Sequence, residues 1–269
     1  MRLPFLDRRP CVAVLRLSGV VGPRLPGLGD AGLSAAALAP VLEAAFKAPR
    51  LAGVVLAINS PGGSPVQSSL IAARIRRLAE ARGVPVVACI EDTGASGGYW
   101  IACAADEIVC DASSILGSIG VISQGFGFTE ALDKLGIERR LVTAGEQKAF
   151  LDPFRPAEAA QQERLRDLLA GLHEEFKHWV RSRRGAHLRG EEAELFSGRF
   201  WTGREAVALG LADRLGELHA EIHGRFGEDV RLRWFNMRRP RWPWRWFAAA
   251  VGAGLEILEE RAARSRLGL

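Results

Sequence analysis

The sequence predicts an α/β fold in which the strands of a parallel sheet are joined by crossover helices. Three observations lead to this prediction. Short, continuous apolar runs alternate along the chain with longer helical segments, as in proteins built from strand–helix–strand units. Two of the apolar runs end abruptly in glycine-rich loops, which indicate a sharp turn after a strand. The chain has 269 residues and 48% of them are hydrophobic, so a sizeable core can be buried.

The first three predicted strands are apolar runs rich in Val, Ile and Leu, and two further short strands follow them. An apolar run without alternation is typical of a parallel strand that is buried on both faces. We predict strands at residues 11–21, 53–58, 84–90, 107–110 and 138–143.

The predicted helices lie between and after these strands, at residues 34–47, 67–82, 99–105, 157–184 and 203–211. The longest of them places Leu165, Leu169 and Phe176 on one apolar stripe with the spacing of an amphipathic helix. An Arg- and Trp-rich composition begins near residue 229. Residues 1–229 are therefore expected to form one domain, and residues 230–269 a basic C-terminal tail.

The positive charge of the chain is confined to that tail. The formal net charge is +5, and residues 231–269 hold nine Arg and three Glu, a net charge of +6. The other 230 residues are close to neutral, at −1. A neutral body argues against a nucleic-acid-binding core, so no nucleic acid partner is predicted.

The cysteines and the first residues of the chain bear on cofactors and compartment. Cys11, Cys89, Cys103 and Cys110 lie in apolar stretches without CxxC spacing, which is typical of buried, reduced thiols. No metal and no cofactor is predicted. The first residues lack the apolar run of a secretory signal, and the sequence has no run of about 20 apolar residues that would span a membrane. We therefore expect a cytoplasmic protein.

The first glycine-rich loop, residues 59–64, contains Gly62 and Gly63. It is a candidate site because ligands bind where strands end in an open α/β sheet. Adjacent glycines let the backbone approach a substrate closely, and backbone N–H groups can stabilise an oxyanion. A Pro-Gly-Gly sequence by itself also fits a simple tight turn.

The second loop, residues 94–98, places Ser96 at the start of a predicted helix. A serine there lies in the positive field of the helix N-terminus, and the next backbone N–H can reach the same oxyanion. A serine in this position also fits an ordinary helix N-cap. The loop alone leaves both interpretations open.

Five stretches together resemble the signal peptide peptidase A / protease IV family of serine peptidases (peptidase family S49), which shares the ClpP/crotonase-like fold with its repeated ββα units. They occur in family order: VVLAINSPGGS (54–64), ASGGYWIACAADEIV (95–109), GSIGVI (117–122), GEQKAFLDPF (145–154) and FSGRFWTG (196–203). The resemblance implies a serine endopeptidase with a Ser-Lys dyad. Its implied substrates are signal-peptide remnants or other hydrophobic or membrane-associated peptides.

The resemblance also implies roles for five residues. Ser96 is the implied nucleophile and Lys148 the implied general base. The backbone N–H groups of Gly63 and Gly97 are implied to form the oxyanion hole, and Ser118 is implied to orient the lysine. In single-domain members of the family the serine and the lysine of one site come from neighbouring subunits. A homo-oligomeric ring with composite active sites is therefore implied as well.

The positions of the histidines support a Ser-Lys mechanism. All five lie at residue 173 or later, and none lies between Ser96 and Leu172. A serine hydroxyl still needs a base, and a lysine serves only as the neutral amine, which apolar surroundings favour. The apolar neighbours Phe150 and Leu151 of Lys148 would supply such surroundings. The alternative is an exposed surface lysine, the commonest fate of that residue.

Two other functions are compatible with the sequence. A crotonase-type acyl-CoA enzyme shares the glycine-rich oxyanion loop, but it uses acidic residues and needs neither Ser96 nor Lys148. A non-enzymatic, membrane-associated scaffold would keep only the fold. The presence of the serine, the lysine and both glycine loops argues against the scaffold.

The tail interleaves Arg with Trp. Residues 238–247 read RRPRWPWRWF, and four of the seven Trp lie between Trp234 and Trp246. Trp and Arg together favour the headgroup boundary of a membrane. We therefore predict peripheral association with the inner membrane surface. The alternative is that these Trp side chains pack on the body or on a neighbouring subunit.

Overall fold

The computed structural model describes residues 9–22, 32–145 and 147–237. In this part of the chain, strands form one eight-stranded sheet with the order β6-β5-β3-β2-β1-β8, and β4 pairs with β3 and β7. The strands are β1 (Cys11–Ser18), β2 (Leu51–Ser60), β3 (Val86–Ala95), β4 (Glu107–Cys110), β5 (Ile115–Gly117), β6 (Phe200–Thr202), β7 (Arg214–Leu215) and β8 (Arg231–Phe235). Every pair is parallel except β5 with β6. The predicted α/β class is confirmed.

The helices follow the chain between and after these strands. They are α1 (Ala35–Phe46), α2 (Pro65–Arg82), α3 (Gly97–Ala102), α4 (Thr129–Leu135), α5 (Ala159–Arg184), α6 (Glu192–Leu195), α7 (Gly203–Ala208) and α8 (Leu218–Phe226). The Ser64 side chain caps the first turn of α2, and Gly83 ends that helix in the left-handed conformation. In the described ranges no helix is both long and apolar enough to cross a membrane.

The central strands are buried on both faces, as their continuous apolar runs predict. Val54 and Leu56 belong to the larger core cluster with α1, α2 and α3, whereas Val55 belongs to a smaller cluster with Leu218 and Ile222 of α8. Successive side chains of a strand point to opposite faces, so each face of the sheet packs in a separate apolar cluster. This burial fixes the strand ends that carry the glycine-rich loops.

The chain divides into two compact units. The first contains the sheet and comprises Met1–Gly120 and Phe176–Leu269, and the second comprises Val121–Glu175. In the second unit α4 has no buried residue. The helix α5 begins in the second unit and ends in the first.

Two features of the fold differ from the sequence prediction. Residues 138–143 form no strand; they are exposed, and Arg139 and Arg140 form ion pairs with Asp152 and Glu138 instead of a ladder. The predicted boundary at residue 229 also differs, because β8 pairs with β1 from Arg231 to Phe235. The folded domain therefore extends at least to Phe235. Residues 238–269 of the predicted tail lie outside the described residues.

Candidate active site

The carboxyl ends of β2, β3 and β5 bring the predicted catalytic loops together. The parallel register places Ser60 opposite Gly94 and Ala95 opposite Gly117. The residues that follow these strands therefore share one edge of the sheet, where ligands bind in open α/β folds. Ser96, Gly63 and Ser118 all follow these strand ends.

Ser96 lies in a strained turn between β3 and α3. Its φ is 49° and its ψ is −121°, a conformation that non-glycine residues rarely adopt. Its N–H donates to the Gly117 carbonyl at 2.8 Å, which ties the turn to the end of β5. The Ser96 side chain makes no capping hydrogen bond and is half-buried. The hydroxyl is therefore not used as a helix cap, which removes the plainest structural explanation for this serine.

Gly97 and Gly62 are needed because the two loops pack directly against each other. A Cβ atom added at Gly97 would lie 2.3 Å from the Ser68 Oγ and 3.2 Å from the Gly63 nitrogen. A Cβ atom added at Gly62 would lie 2.7 Å from the Ser96 Cβ. A side chain at Gly62 would force the loops apart, whereas one at Gly97 would first displace the Ser68 side chain of α2. Glycine at both positions lets the backbones of the two loops lie in contact beside Ser96.

Gly63 is held against the chain segment that follows β1. Its φ is 145°, and an added Cβ would lie 2.0 Å from the Val21 carbonyl oxygen. The neighbours of Gly63 bond to Val21, since Val21 N–H donates to Gly62 and Ser64 N–H donates to Val21, both at 2.7 Å. In the described residues the Gly63 N–H itself has no backbone acceptor. Gly97 is the first residue of α3, where a helix offers its N–H no internal acceptor.

Ser118 follows β5 directly. Its φ is 51°, its N–H donates to the Arg199 carbonyl at 2.7 Å, and its carbonyl accepts from Gly120 N–H at 2.9 Å. Ser118 is half-buried. Because the adjacent Gly117 carbonyl accepts the Ser96 N–H, the two serines are linked through one backbone hydrogen bond.

Lys148 belongs to the second unit, whereas Ser96, Gly63, Gly97 and Ser118 belong to the first. The structure thus brings four of the five predicted site residues to one place and puts the lysine on a separate unit. The Lys148 side chain is exposed, so the apolar surroundings expected for it are not provided by its chain neighbours.

The segment around Lys148 is fixed by contacts within its own unit. The Asp152 carboxylate accepts from Phe154 N–H at 3.1 Å and from Arg139 at 3.0 Å. These hydrogen bonds, the one from Phe154 first, hold the pKa of Asp152 below its ordinary value. The Phe154 ring stacks on Phe128 with a centroid distance of 5.5 Å. Residues 152–154, which follow the turn that carries Lys148, are therefore held by contacts within the second unit.

The four cysteines do not form a second reactive centre. All four cysteines are free and buried, and burial raises the pKa of Cys89 and Cys103 to about 12. Such thiols are not nucleophilic at neutral pH. Within residues 9–22, 32–145 and 147–237, no group of three or more His, Cys, Asp and Glu residues could hold a metal ion.

Two supporting contacts of the site were not predicted. Ser68 of α2 faces Gly97, and Val21 packs on Gly63. Neither residue belongs to a motif with recognisable spacing, so only the three-dimensional fold reveals the contacts. The turn at Gly117 could have been predicted from the sequence, because glycine readily adopts the φ of 99° found there, at the end of β5.

Comparison with known proteins gives matches of sequence and of structure. The model of Peptidase family S49 matches residues 79–224, more than half of the chain. A Na(+)/H(+) antiporter NhaA of Brucella abortus (strain 2308) is 46% identical over 228 residues, 85% of this chain and 31% of that protein. The chloroplastic serine protease SPPA of Arabidopsis thaliana is 30% identical over 220 residues, 80% of this chain and 32% of that protein. The chain thus spans about a third of the length of these two relatives.

Among solved structures, the chain is similar to a mutant of the membrane-bound stomatin-specific protease 1510-N in complex with a substrate peptide. The TM-score is 0.51 at 15% sequence identity, and the match covers 91% of this chain and 98% of that chain. At this identity the likeness concerns the fold, and it agrees with the ClpP/crotonase-like architecture that the sequence predicts.

Proposed function

The chain belongs to peptidase family S49, a family of serine peptidases, and we propose that it is an endopeptidase with Ser96 as nucleophile and Lys148 as general base. One observation carries the proposal. The Ser96 hydroxyl has no capping role and lies in a strained turn beside the N–H groups of Gly63 and Gly97. That arrangement combines an available nucleophile with donors for an oxyanion.

The proposed reaction runs in two halves. The neutral amine of Lys148 takes the Ser96 proton while the Ser96 oxygen attacks the peptide carbonyl. The carbonyl oxygen becomes an oxyanion that accepts hydrogen bonds from Gly63 and Gly97. Lys148 then gives its proton to the departing amine, which leaves an acyl ester on Ser96. Water, deprotonated by Lys148, hydrolyses that ester and restores the serine.

We further propose that the active site is composite, with Ser96 of one copy and Lys148 of a neighbouring copy in a homo-oligomeric ring. A lysine acts as a base only when its surroundings favour the neutral amine, and the Lys148 side chain is exposed in the single chain. Of the sixteen large hydrophobic side chains exposed among the described residues, eleven lie in residues 121–175, the unit that carries Lys148. Large exposed apolar surfaces mark interaction sites. A second copy would cover this unit and desolvate the lysine.

The proposed substrates are hydrophobic or membrane-associated peptides, including remnants of signal peptides. The chain is similar to a membrane-bound protease of known structure that holds a substrate peptide, and this similarity supports a peptide ligand. We propose that the protein is cytoplasmic and reaches the inner membrane surface through its Arg- and Trp-rich tail. Trp234, which belongs to the described residues, is 39% exposed and lies under the Arg16 guanidinium at 5.2 Å.

Membrane association can be tested by removing the tail after Met237, because a truncation at residue 229 would delete the edge strand β8. Full-length protein should bind anionic vesicles at low salt, and the truncated protein should not. Equal binding of both forms, or binding by neither, would contradict the interface proposal. Loss of the oligomer on truncation would show that the tail serves assembly instead.

The other candidate functions have less support. The family match favours a peptidase over a crotonase-type acyl-CoA enzyme or a scaffold. The match to the antiporter covers 31% of that protein, so its name describes a much longer protein and we carry no transport function over.

Hydrolysis of a quenched fluorescent, hydrophobic peptide tests the proposed function. The purified full chain should cleave the peptide, whereas Ser96→Ala and Lys148→Ala should not. Ser113→Ala and Lys134→Ala are matched controls, because both side chains are exposed and neither has a proposed role. Turnover of an acyl-CoA thioester without peptide cleavage would support the crotonase alternative. Absence of both activities would support the scaffold.

A further inference from the structure

The short helix α3 starts directly after Ser96, and most of its last carbonyls accept N–H groups of the residues that follow it, as Tyr99 and Ile101 do from Cys103 N–H. It has six residues, and the last carbonyls of any helix lack internal partners. Side chains from two other helices donate to the carbonyls of α3 and of the residues after it. The acceptors are the carbonyl oxygens of Trp100, Cys103, Ala104 and Ala105.

Most of these donors come from one face of α5. Phe176, Trp179 and Arg183 follow each other at spacings of three and four residues, which places them on one stripe of the helix. The Phe176 ring stacks on Trp100 with a centroid distance of 4.6 Å, and Trp179 Nε1 donates to the Trp100 carbonyl at 2.9 Å. The helix α5 therefore contacts α3 at Trp100 through these two side chains.

Arg183 makes the most complete of these contacts. Its Nε donates to the Cys103 carbonyl at 2.9 Å, and its terminal nitrogen donates to the Ala105 carbonyl at 3.0 Å. The Asp106 carboxylate lies 3.5 Å away and balances the charge. The side chain is 24% exposed. A planar guanidinium spans two carbonyls at once, which a lysine ammonium cannot do in the same geometry.

Arg76 of α2 makes a weaker contact at the same end. Its single bond to the Ala104 carbonyl is 3.3 Å long, and its charge is shared between Asp106 and Glu80. Arg183 is therefore the stronger of the two anchors.

We infer that Arg183 is a positioning residue for Ser96, which it holds in its reactive conformation by fixing the C-cap residue of α3 and the turn that follows it. Ser96 has a φ of 49°, and a strained conformation persists only when its surroundings determine it. A helix of one to two turns has little stability of its own, so outside anchors must supply the rigidity. The inference rests on the proposed role of Ser96 as the nucleophile.

The test compares Arg183→Lys and Arg183→Ala with the wild type in the full-length protein. Small displacements of a reacting group lower the rate by as much as about 10²-fold. We expect kcat for peptide hydrolysis to fall about 10-fold in Arg183→Lys and about 10²-fold in Arg183→Ala, with KM within about twofold. Amide hydrogen exchange in residues 97–102 should accelerate in the same order.

Arg214→Lys is the matched control, because Arg214 is also a half-buried arginine that pairs with carboxylates, Glu107 and Glu221, but it does not contact α3. Assays run well below the unfolding temperatures separate positioning from stability. The control should lose thermal stability and keep kcat. Wild-type kcat and wild-type exchange in the Arg183 variants would overturn the inference and leave the proposed function intact. A wild-type protein without peptidase activity would overturn both.

Discussion

At the scale of single residues, the turn at Ser96 depends on backbone contacts and not on the serine side chain. The Ser96 N–H donates to Gly117, and the backbone of Gly62 packs against the Ser96 Cβ. The hydroxyl adds no hydrogen bond to a helix end. The turn should therefore keep its shape when the hydroxyl is removed.

Ser96→Ala should abolish peptide hydrolysis with little change in stability. Alanine keeps the Cβ atom, so the strain at φ 49° is the same. We expect the free energy of unfolding to change by less than about 0.5 kcal/mol, and kcat to fall by about 10³-fold or more. Thermal unfolding and peptide hydrolysis measure the two quantities. A large loss of stability would mean that the hydroxyl has a structural role.

Gly63→Ala should damage both the fold and the activity. The new Cβ would overlap the Val21 carbonyl oxygen at 2.0 Å, so the oxyanion loop must move. We expect a loss of about 2–4 kcal/mol in the free energy of unfolding, together with loss of hydrolysis. Gly83→Ala is the control: Gly83 also has a positive φ, of 59°, but nothing lies within 4 Å of an added Cβ. That variant should lose about 1–2 kcal/mol and keep its kcat, and equal effects at both positions would refute the steric argument.

At the scale of elements, the sequence predicted those strands and helices that carry their own apolar pattern. The central strands β1, β2 and β3 and the helices α2 and α5 were predicted from that pattern. The strands β5, β6 and β7 have only two or three residues, too few for a pattern, and their place depends on pairing with distant segments. The helix α4 has no buried residue, so its sequence shows no amphipathic stripe.

In the candidate site, too, the local sequence predicted the loop residues but not the contacts between segments that are distant in sequence. Ser96, Gly63 and Gly97 lie in loops whose glycine content predicts close backbone approach. The packing of Val21 on Gly63 and the hydrogen bonds from Arg183 to the residues just after α3 join segments that are far apart in sequence. No local sequence pattern predicts such contacts, so only the three-dimensional structure shows them.

The ion pairs between β4, β7 and α8 should make stability depend on pH. Hydrogen bonds from Arg225 and then Arg214 hold the pKa of Glu107 below its ordinary value of 4.5. A carboxyl group with a lowered pKa in the folded state stabilises the fold fully above its unfolded pKa, and this contribution is lost as the pH falls through the lower folded pKa. Glu107→Gln should therefore lower Tm by about 1–3 °C at neutral pH, and the difference from wild type should shrink below pH 4.5.

Thermal unfolding of both proteins across this pH range measures the effect. Glu138→Gln is the control, because the Glu138 carboxylate pairs with Arg140 at 71% side-chain exposure and such pairs contribute little. A Tm difference between Glu107→Gln and wild type that stays constant with pH would contradict the assignment.

At the scale of the whole molecule, the proposed composite site predicts complementation between inactive variants. Ser96→Ala copies carry an intact Lys148, and Lys148→Ala copies carry an intact Ser96. In a ring whose sites combine neighbouring copies, random co-assembly of equal amounts leaves about a quarter of the sites with both groups intact. The mixture should therefore recover a clear fraction of wild-type hydrolysis, although each variant alone is inactive.

Two different affinity tags on the variants show whether co-assembly has taken place. Recovery should require dissociation and reassembly of the two proteins. If co-assembled variants show no recovery, the serine and the lysine act within one chain and the composite site is wrong.

Covalent labelling with a serine-reactive phosphonate probe tests the proposal that Ser96 is a nucleophile activated by Lys148. Mass spectrometry of the labelled peptides then identifies the modified residue. We expect one adduct, at Ser96, in the wild type and in Lys134→Ala, and none in Ser96→Ala. The labelling rate of Lys148→Ala should be lower by at least about 10²-fold. Equal labelling of Ser96→Ala, or an unchanged rate in Lys148→Ala, would contradict the proposal.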